Sequence, residues 1–186
     1  MKTLVVLAHP GLGKSVINKR WKEELEKHPD KFFVHDLYGA YPDGKIDADS
    51  ERKLIEKHGG LILQFPFYWF GSPSLLKKWM DEVLTPPWAC AAPEGAGNMV
   101  GRKVAIAVSA GIEEKDYGRN GRYKYTLEEL TSPFEATFAY MDSDYKPMFS
   151  LCGTEYSPSR RYRKKRGRLS PFRIANMIRP HAALIP

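Results

Sequence analysis

Two short runs, residues 61–65 (Leu-Ile-Leu-Gln-Phe) and 104–108 (Val-Ala-Ile-Ala-Val), are apolar on both faces rather than on alternate residues. A strand of that kind is stable only where both faces are covered, as in a parallel sheet with helices packed on each side. The surrounding sequence fits such a sheet. Residues 4–8 and 32–34 read as two earlier strands and residues 145–151 as a fifth. Between the first two, Ile17, Trp21 and Leu25 recur every fourth residue within 15–28, the stripe of an amphipathic helix. Residues 49–57 form a more polar helix. Leu75, Leu76, Trp79, Met80 and Val83 follow Ser72-Pro73, which read as an N-cap and a proline at the first helical position. Two capping boxes, Thr126-x-x-Glu129 and Ser132-x-x-Glu135, compete for the start of the last helix. The second, with Pro133 behind its serine, is the better candidate for a helix running to Met141. Five strands alternating with helices place any ligand beyond the carboxyl ends of the strands.

Charge divides the chain in two. The net +7 comes from residues 157–186, which hold nine Lys and Arg and no acid; residues 1–156 hold 20 basic and all 22 acidic residues, a net of −2. The basic pI therefore says nothing about the body, and no nucleic-acid partner is expected. The apolar stripe of a covering helix is missing from 157–186, so a disordered or loosely attached tail is expected there. An RNA, DNA or anionic membrane surface is the minor alternative for this segment. Apolar stretches are too short to span a bilayer. The opening MKTLVVLAHP has no small-residue cleavage site and reads as a strand rather than a leader. Cys90 and Cys152 have neither disulfide nor zinc spacing, so a reducing cytoplasm is expected and no metal.

Three loops follow the first, third and fourth strands. The first, His9-Pro-Gly-Leu-Gly-Lys-Ser15, ends at a helix N-terminus whose free amides suit a phosphate. It is an incomplete Walker motif: Gly13-Lys14-Ser15 fits, but Ala8 holds the first glycine position and neither following apolar strand ends in an aspartate for Mg²⁺. An ordinary strand-to-helix turn is the competing reading. The second loop, Pro66-Phe-Tyr-Trp-Phe-Gly-Ser-Pro73, has four consecutive aromatics, suited to stacking on a flat heteroaromatic ring. Trp69 and Phe70 could instead fill the core or a subunit interface. The third is Ser109-Ala110-Gly111 with Tyr117 beyond it; Ser109 lacks the G-x-S-x-G elbow of a hydrolytic nucleophile.

The combination of AHP-x4-S, QFPFYWFGSPSLLKKWMDEV and VSAG-x5-Y resembles the NAD(P)H:quinone oxidoreductase family, which includes DT-diaphorase-like enzymes, general stress flavoproteins and potassium-efflux ancillary flavoproteins. The resemblance covers residues 1–156. It implies a flavodoxin-like α/β fold, a five-stranded parallel sheet of order 2-1-3-4-5 with helices on both faces. It further implies a homodimer holding FMN or FAD that transfers hydride from NAD(P)H to quinone-like acceptors. By the same resemblance His9, Ser15, Val16 and Asn18 hold the flavin phosphate side. Pro66, Phe67, Tyr68, Trp69 and Phe70 border the ring, with Ser109, Ala110 and Gly111 along its other edge. Tyr117 bonds the pyrimidine end. Where some members place a histidine six residues later this chain has Tyr123, so Tyr117 and Tyr123 are the catalytic candidates. The second function implied is a regulatory subunit of a potassium-efflux system with little turnover, partnered with a membrane transporter. Members of this family end in an acidic amphipathic helix, and the abrupt basic tail from Ser157 reads as a reading-frame change.

Overall fold

The structure is a computed structural model and describes residues 1–90 and 97–154. The expectations for 157–186, including disorder and the change of frame, lie outside the described residues. Elements run β1 (Thr3–Leu7), α1 (Ile17–Leu25), β2 (Phe32–Asp36), α2 (Leu37–Ala40), α3 (Ala48–Glu56), β3 (Gly60–Pro66), α4 (Ser74–Val83), α5 (Pro86–Ala89), β4 (Lys103–Ser109), α6 (Leu127–Tyr140), β5 (Asp144–Tyr145) and β6 (Phe149–Leu151). The sheet is parallel throughout, in the order β2-β1-β3-β4-β5, with β6 also pairing β4. This is the flavodoxin-like order expected. Among the described residues no helix is long and apolar enough to cross a membrane.

Because side chains alternate across a strand, each central strand feeds two cores. Leu61, Leu63, Phe65, Val104, Ile106 and Val108 point to the face covered by α3, α4 and α6, against Ile55, Trp79 and Phe138. Ile62, Ala105 and Ala107 point to the opposite face, where α1 lays Ile17, Trp21 and Leu25. Both β3 and β4 are buried along nearly their whole length, which explains why their sequences do not alternate.

A charged group is built into the larger core. Glu51 of α3, 2% exposed, accepts hydrogen bonds from Tyr41 Oη at 2.7 Å and Trp79 Nε1 at 2.8 Å, and His35 Nε2 lies 2.9 Å away. Burial pushes its carboxyl upward, but the His35, Tyr41 and Trp79 donors outweigh that and hold it below the ordinary glutamate value.

Three expectations need correction. Ser72 is not the cap of α4: Pro73 has an extended ψ of 147° and its carbonyl accepts the first helical amides, from Leu76 and Lys77, so Ser74 is the first helical residue. The first capping box, not the second, starts α6. Thr126 N donates to Glu129 Oε2 at 2.7 Å and Glu129 N to Thr126 Oγ1 at 3.0 Å. Starting there also buries Leu127 and Thr131. Pro133 then lies inside the helix, and the Glu129 carbonyl that its missing N–H cannot reach is met by Ser132 Oγ at 2.8 Å. Finally, the fifth strand is two short ones, because Pro147 can donate nothing to a ladder and interrupts residues 145–151. The short helices α2 and α5 were not anticipated; α2 is capped by Asp36, whose Oδ1 accepts from Gly39 N at 3.2 Å.

Replacing Thr126 with alanine therefore destabilises the protein by about 1 kcal/mol, the usual worth of an N-cap. Ser132→Ala costs clearly less. Urea denaturation of the two variants checks the ranking, and the reverse order would restore the second box as the helix start.

Candidate functional site

The parallel register brings the three loops to one edge. Leu7 of β1 pairs with both Asp36 and Gln64, Pro66 of β3 with Ser109, and Ser109 with Leu151. His9, Phe67 and Ala110 therefore leave the sheet side by side.

In the first loop His9 is nearly buried, and its Nδ1 accepts from Gly11 N at 3.0 Å. That assigns the proton to Nε2 and leaves a donor on the far side of the ring. Burial holds its pKa below 6.5, against the weaker opposing pull of its own backbone bond and of Asp36. The chain then makes a 3₁₀ turn over Leu12–Lys14. Ser15 Oγ accepts from Asn18 N at 3.1 Å, closing the start of α1. Among the described residues the amides of Val16 and Ile17 meet no acceptor. A Cβ added to Gly11 or Gly13 would touch nothing, so the loop borders open space. Free amides at a helix N-terminus beside open space fit a phosphate. Val16 itself is 66% exposed.

Asn18 and Ser109 lie deeper. Asn18 Nδ2 donates to Ser109 Oγ at 2.8 Å, and Gln64 Nε2 donates to the Asn18 backbone oxygen at 3.1 Å and to its Oδ1 at 3.3 Å. All three residues are buried. Gln64 is the member that sequence reasoning missed. Its signal was a lone amide in an apolar strand, a group that must find partners when buried.

The aromatic loop is a tight reversal. Tyr68 and Gly71 exchange backbone hydrogen bonds, at 3.1 and 3.0 Å, around Trp69 and Phe70, whose φ values are +48° and +62°. Positive φ at both central positions is the pattern of a type I′ turn, which normally takes Asn-Gly. Left-handed backbone costs roughly 1–2 kcal/mol at a residue with a Cβ. Strain of this kind concentrates at ligand sites. Trp69, 95% exposed, fills no core, whereas Phe67 is buried and Tyr68 and Phe70 are partly exposed. Tyr68 stands edge-on to His9 at 6.1 Å, which joins the first two loops.

The third loop closes on the second. Ala110 is buried, its amide donating to the Leu151 carbonyl and its own carbonyl accepting from Thr154 N. Phe67 N donates to the Ser109 carbonyl at 2.8 Å. Gly111 begins the excursion that carries Tyr117 and Tyr123, whose rings lie 5.8 Å apart. Phe70 meets Tyr123 at 5.1 Å and Phe67 at 6.2 Å, both edge to face. A continuous row of rings thus runs from Phe67 to Tyr117, with the His9–Ser15 phosphate cradle beyond Tyr68. One end suits a phosphate and the other a flat ring, the two parts of a flavin nucleotide.

The chain belongs to the family of the flavodoxin-like fold, whose sequence pattern matches residues 1–170 and so continues past Tyr156. It is 43% identical over 154 residues to an uncharacterized NAD(P)H oxidoreductase, YrkL, of Bacillus subtilis, covering 83% of this chain and 87% of that one. General stress protein 14 of Treponema denticola, solved in complex with FMN, superposes with a TM-score of 0.88 at 40% identity, over 96% of this chain and 100% of that one. An NADPH-quinone reductase of P. pentosaceus superposes with a TM-score of 0.79 at 27% identity, over 92% and 97% of the two chains.

Two outcomes follow. Trp69→Asn, which tolerates positive φ and removes no buried contact, stabilises the protein by about 0.5–1 kcal/mol. Urea unfolding reads the effect, and loss of stability would show that the turn is unstrained. The second concerns His9. A lowered folded pKa means that the unfolded chain takes up the proton first as pH falls below 6.5, so stability is lost on acidification. His9→Gln removes this contribution, and its melting temperature falls less than that of the wild type between pH 8 and pH 5.5.

Proposed function

We propose that this protein is a flavin-dependent NAD(P)H oxidoreductase, using FMN or FAD and passing reducing equivalents to quinone-like acceptors as a homodimer. The observation that carries the reading is the strained, exposed turn at Trp69 and Phe70, set between a phosphate cradle and a row of rings. A fold has no use for a solvated tryptophan held in left-handed backbone, but a stacked ring ligand does. Support comes from the NAD(P)H oxidoreductase and quinone reductase relatives and from the relative that binds FMN.

Bound flavin would supply the hydride chemistry, taking two electrons from the nicotinamide and giving them to the acceptor. The protein's part is binding and orientation. The Val16 and Ile17 amides and the Ser15 hydroxyl would hold the phosphate, with Nε2–H of neutral His9 as a further donor. Pro66, Phe67, Tyr68, Trp69 and Phe70 would border the ring, and Ser109, Ala110 and Gly111 its other edge. Asn18 and Ser109, tied to each other, hold α1 and β4 so that these edges keep their spacing. The Tyr117 hydroxyl would donate where negative charge gathers on the reduced ring, with Tyr123 packed beside it.

The regulatory alternative keeps the same site and differs in turnover. A visible spectrum before and after anaerobic NAD(P)H, then after menadione, tests both readings. The expected result is a yellow protein that bleaches and recovers. A protein that stays colourless with added FMN and FAD overturns the flavin reading, and one that bleaches but scarcely turns over belongs to the regulatory reading. Tyr117→Phe lowers kcat about tenfold, the worth of one hydrogen bond to a charged acceptor, with little change in FMN affinity.

A further inference from the structure

The loop beyond Tyr117 has a feature that flavin binding does not use. Residues 118–124, Gly-Arg-Asn-Gly-Arg-Tyr-Lys, hold three cations and no acid, on a body whose net charge is −2. The loop is tightly built. Gly121 N donates to the Gly118 carbonyl at 2.9 Å, closing a turn around Arg119 and Asn120, while Tyr123 N donates to the Asp116 carbonyl at 3.0 Å and Gly118 N to the Tyr125 carbonyl at 2.6 Å. Gly118 has a φ of +94°, and a Cβ on Gly121 would collide with the Asp116 and Tyr117 backbone oxygens. Two glycines are thus required by the geometry of one short turn.

That turn presents Arg119 and Arg122 to solvent. Among the described residues neither guanidinium has an ion pair or a hydrogen bond. Two of the nearby acids are otherwise engaged, since Glu113 pairs with Lys115 at 3.5 Å and Glu129 closes the α6 capping box, and neither Glu114 nor Asp116 forms an ion pair with the arginines. Arg122 also lies over the Tyr123 ring, 5.6 Å from its centroid, and Tyr123 touches Phe70. The arginines therefore border the row of rings at the end away from the His9–Ser15 cradle. The other described arginines, Arg20, Arg52 and Arg102, each find a carboxylate or carbonyl.

We propose that Arg119 and Arg122 form the phosphate-recognition element for the dinucleotide hydride donor. The proposal rests on the oxidoreductase reading above. A guanidinium presents a planar fork of donors that matches phosphate oxygens two at a time, which an ammonium cannot do. A rigid turn lowers the ordering cost of that contact. The group bound is a phosphate of the donor, either the 2′-phosphate carried only by NADPH or the pyrophosphate common to NADPH and NADH.

The test compares wild type, the double variant R119Q/R122Q and the charge-preserving R119K/R122K, each loaded with FMN. Calorimetric titration with NADP⁺, NAD⁺ and 2′-AMP reads binding without turnover, and steady-state kinetics give KM for NADPH and NADH. Losing charge-assisted hydrogen bonds raises the NADP⁺ dissociation constant and the NADPH KM about tenfold or more in R119Q/R122Q, with only partial recovery in R119K/R122K. If the shift is confined to NADP⁺, NADPH and 2′-AMP, the 2′-phosphate is the group held; an equal shift for NAD⁺ and NADH assigns the pyrophosphate. Unchanged dissociation constants for both dinucleotides overturn the proposal, as does a loss of FMN affinity in their place. A wild type that binds NADP⁺ through these arginines yet never reduces flavin would sink the oxidoreductase reading and leave this one standing.

Discussion

The carboxyl edge of the sheet is held by one buried amide. Asn18 takes hydrogen bonds from Gln64 of β3 on its backbone and side-chain oxygens and gives one to Ser109 of β4. Apolar packing along α1 fixes how closely the helix approaches the sheet but is indifferent to sliding, since Ile17, Trp21 and Leu25 meet a floor that includes the small Ala105 and Ala107. A directional bond at a buried position removes that freedom, because leaving any of the three groups unpaired costs about 1–3 kcal/mol. The helix start, and with it the loop from His9 to Ser15, is thereby set against the ends of both central strands.

The strain in the aromatic turn depends on that edge being rigid. A turn with positive φ at Trp69 and Phe70 relaxes unless both ends are held. Upstream, Phe67 N is bonded to the Ser109 carbonyl, and downstream Pro73 opens α4, whose Leu76 and Trp79 are fully buried. The turn is spanned between two parts of the core, so the backbone energy stored in it is supplied by packing elsewhere. Neither anchor touches the exposed indole.

The central strands and α1, α3 and α4 were legible because burial on two faces and four-residue stripes are properties of the sequence itself. Where the reading went wrong, the deciding quantity was three-dimensional. Both capping boxes satisfy the same local rule; burial of Leu127 and Thr131 chose between them. Ser72 is a good cap by type, yet the extended Pro73 carbonyl is what α4 uses. At the site, the aromatic run announced itself by composition, but nothing in the string Tyr-Trp-Phe indicates left-handed backbone. Asn18 was singled out by resemblance alone and Ser109 by its place in the third loop; their mutual hydrogen bond, and the part of Gln64 in it, depend on a strand register that no local pattern encodes.

Charge illustrates the same limit from the other side. The net +7 draws attention to residues 157–186, yet residues 1–156 together carry a net of −2. Against that background, cations that no carboxylate pairs leave their charge available to a ligand. Among the described residues Arg119, Arg122 and Lys124 have no ion pair, whereas Arg20 is paired to Glu24 and Arg52 to Asp49. The position of a cation relative to its acids therefore carries more information about a ligand than the overall balance. On that measure, the seven-residue loop beside the row of rings stands out because both of its arginines, Arg119 and Arg122, lack an ion pair among the described residues.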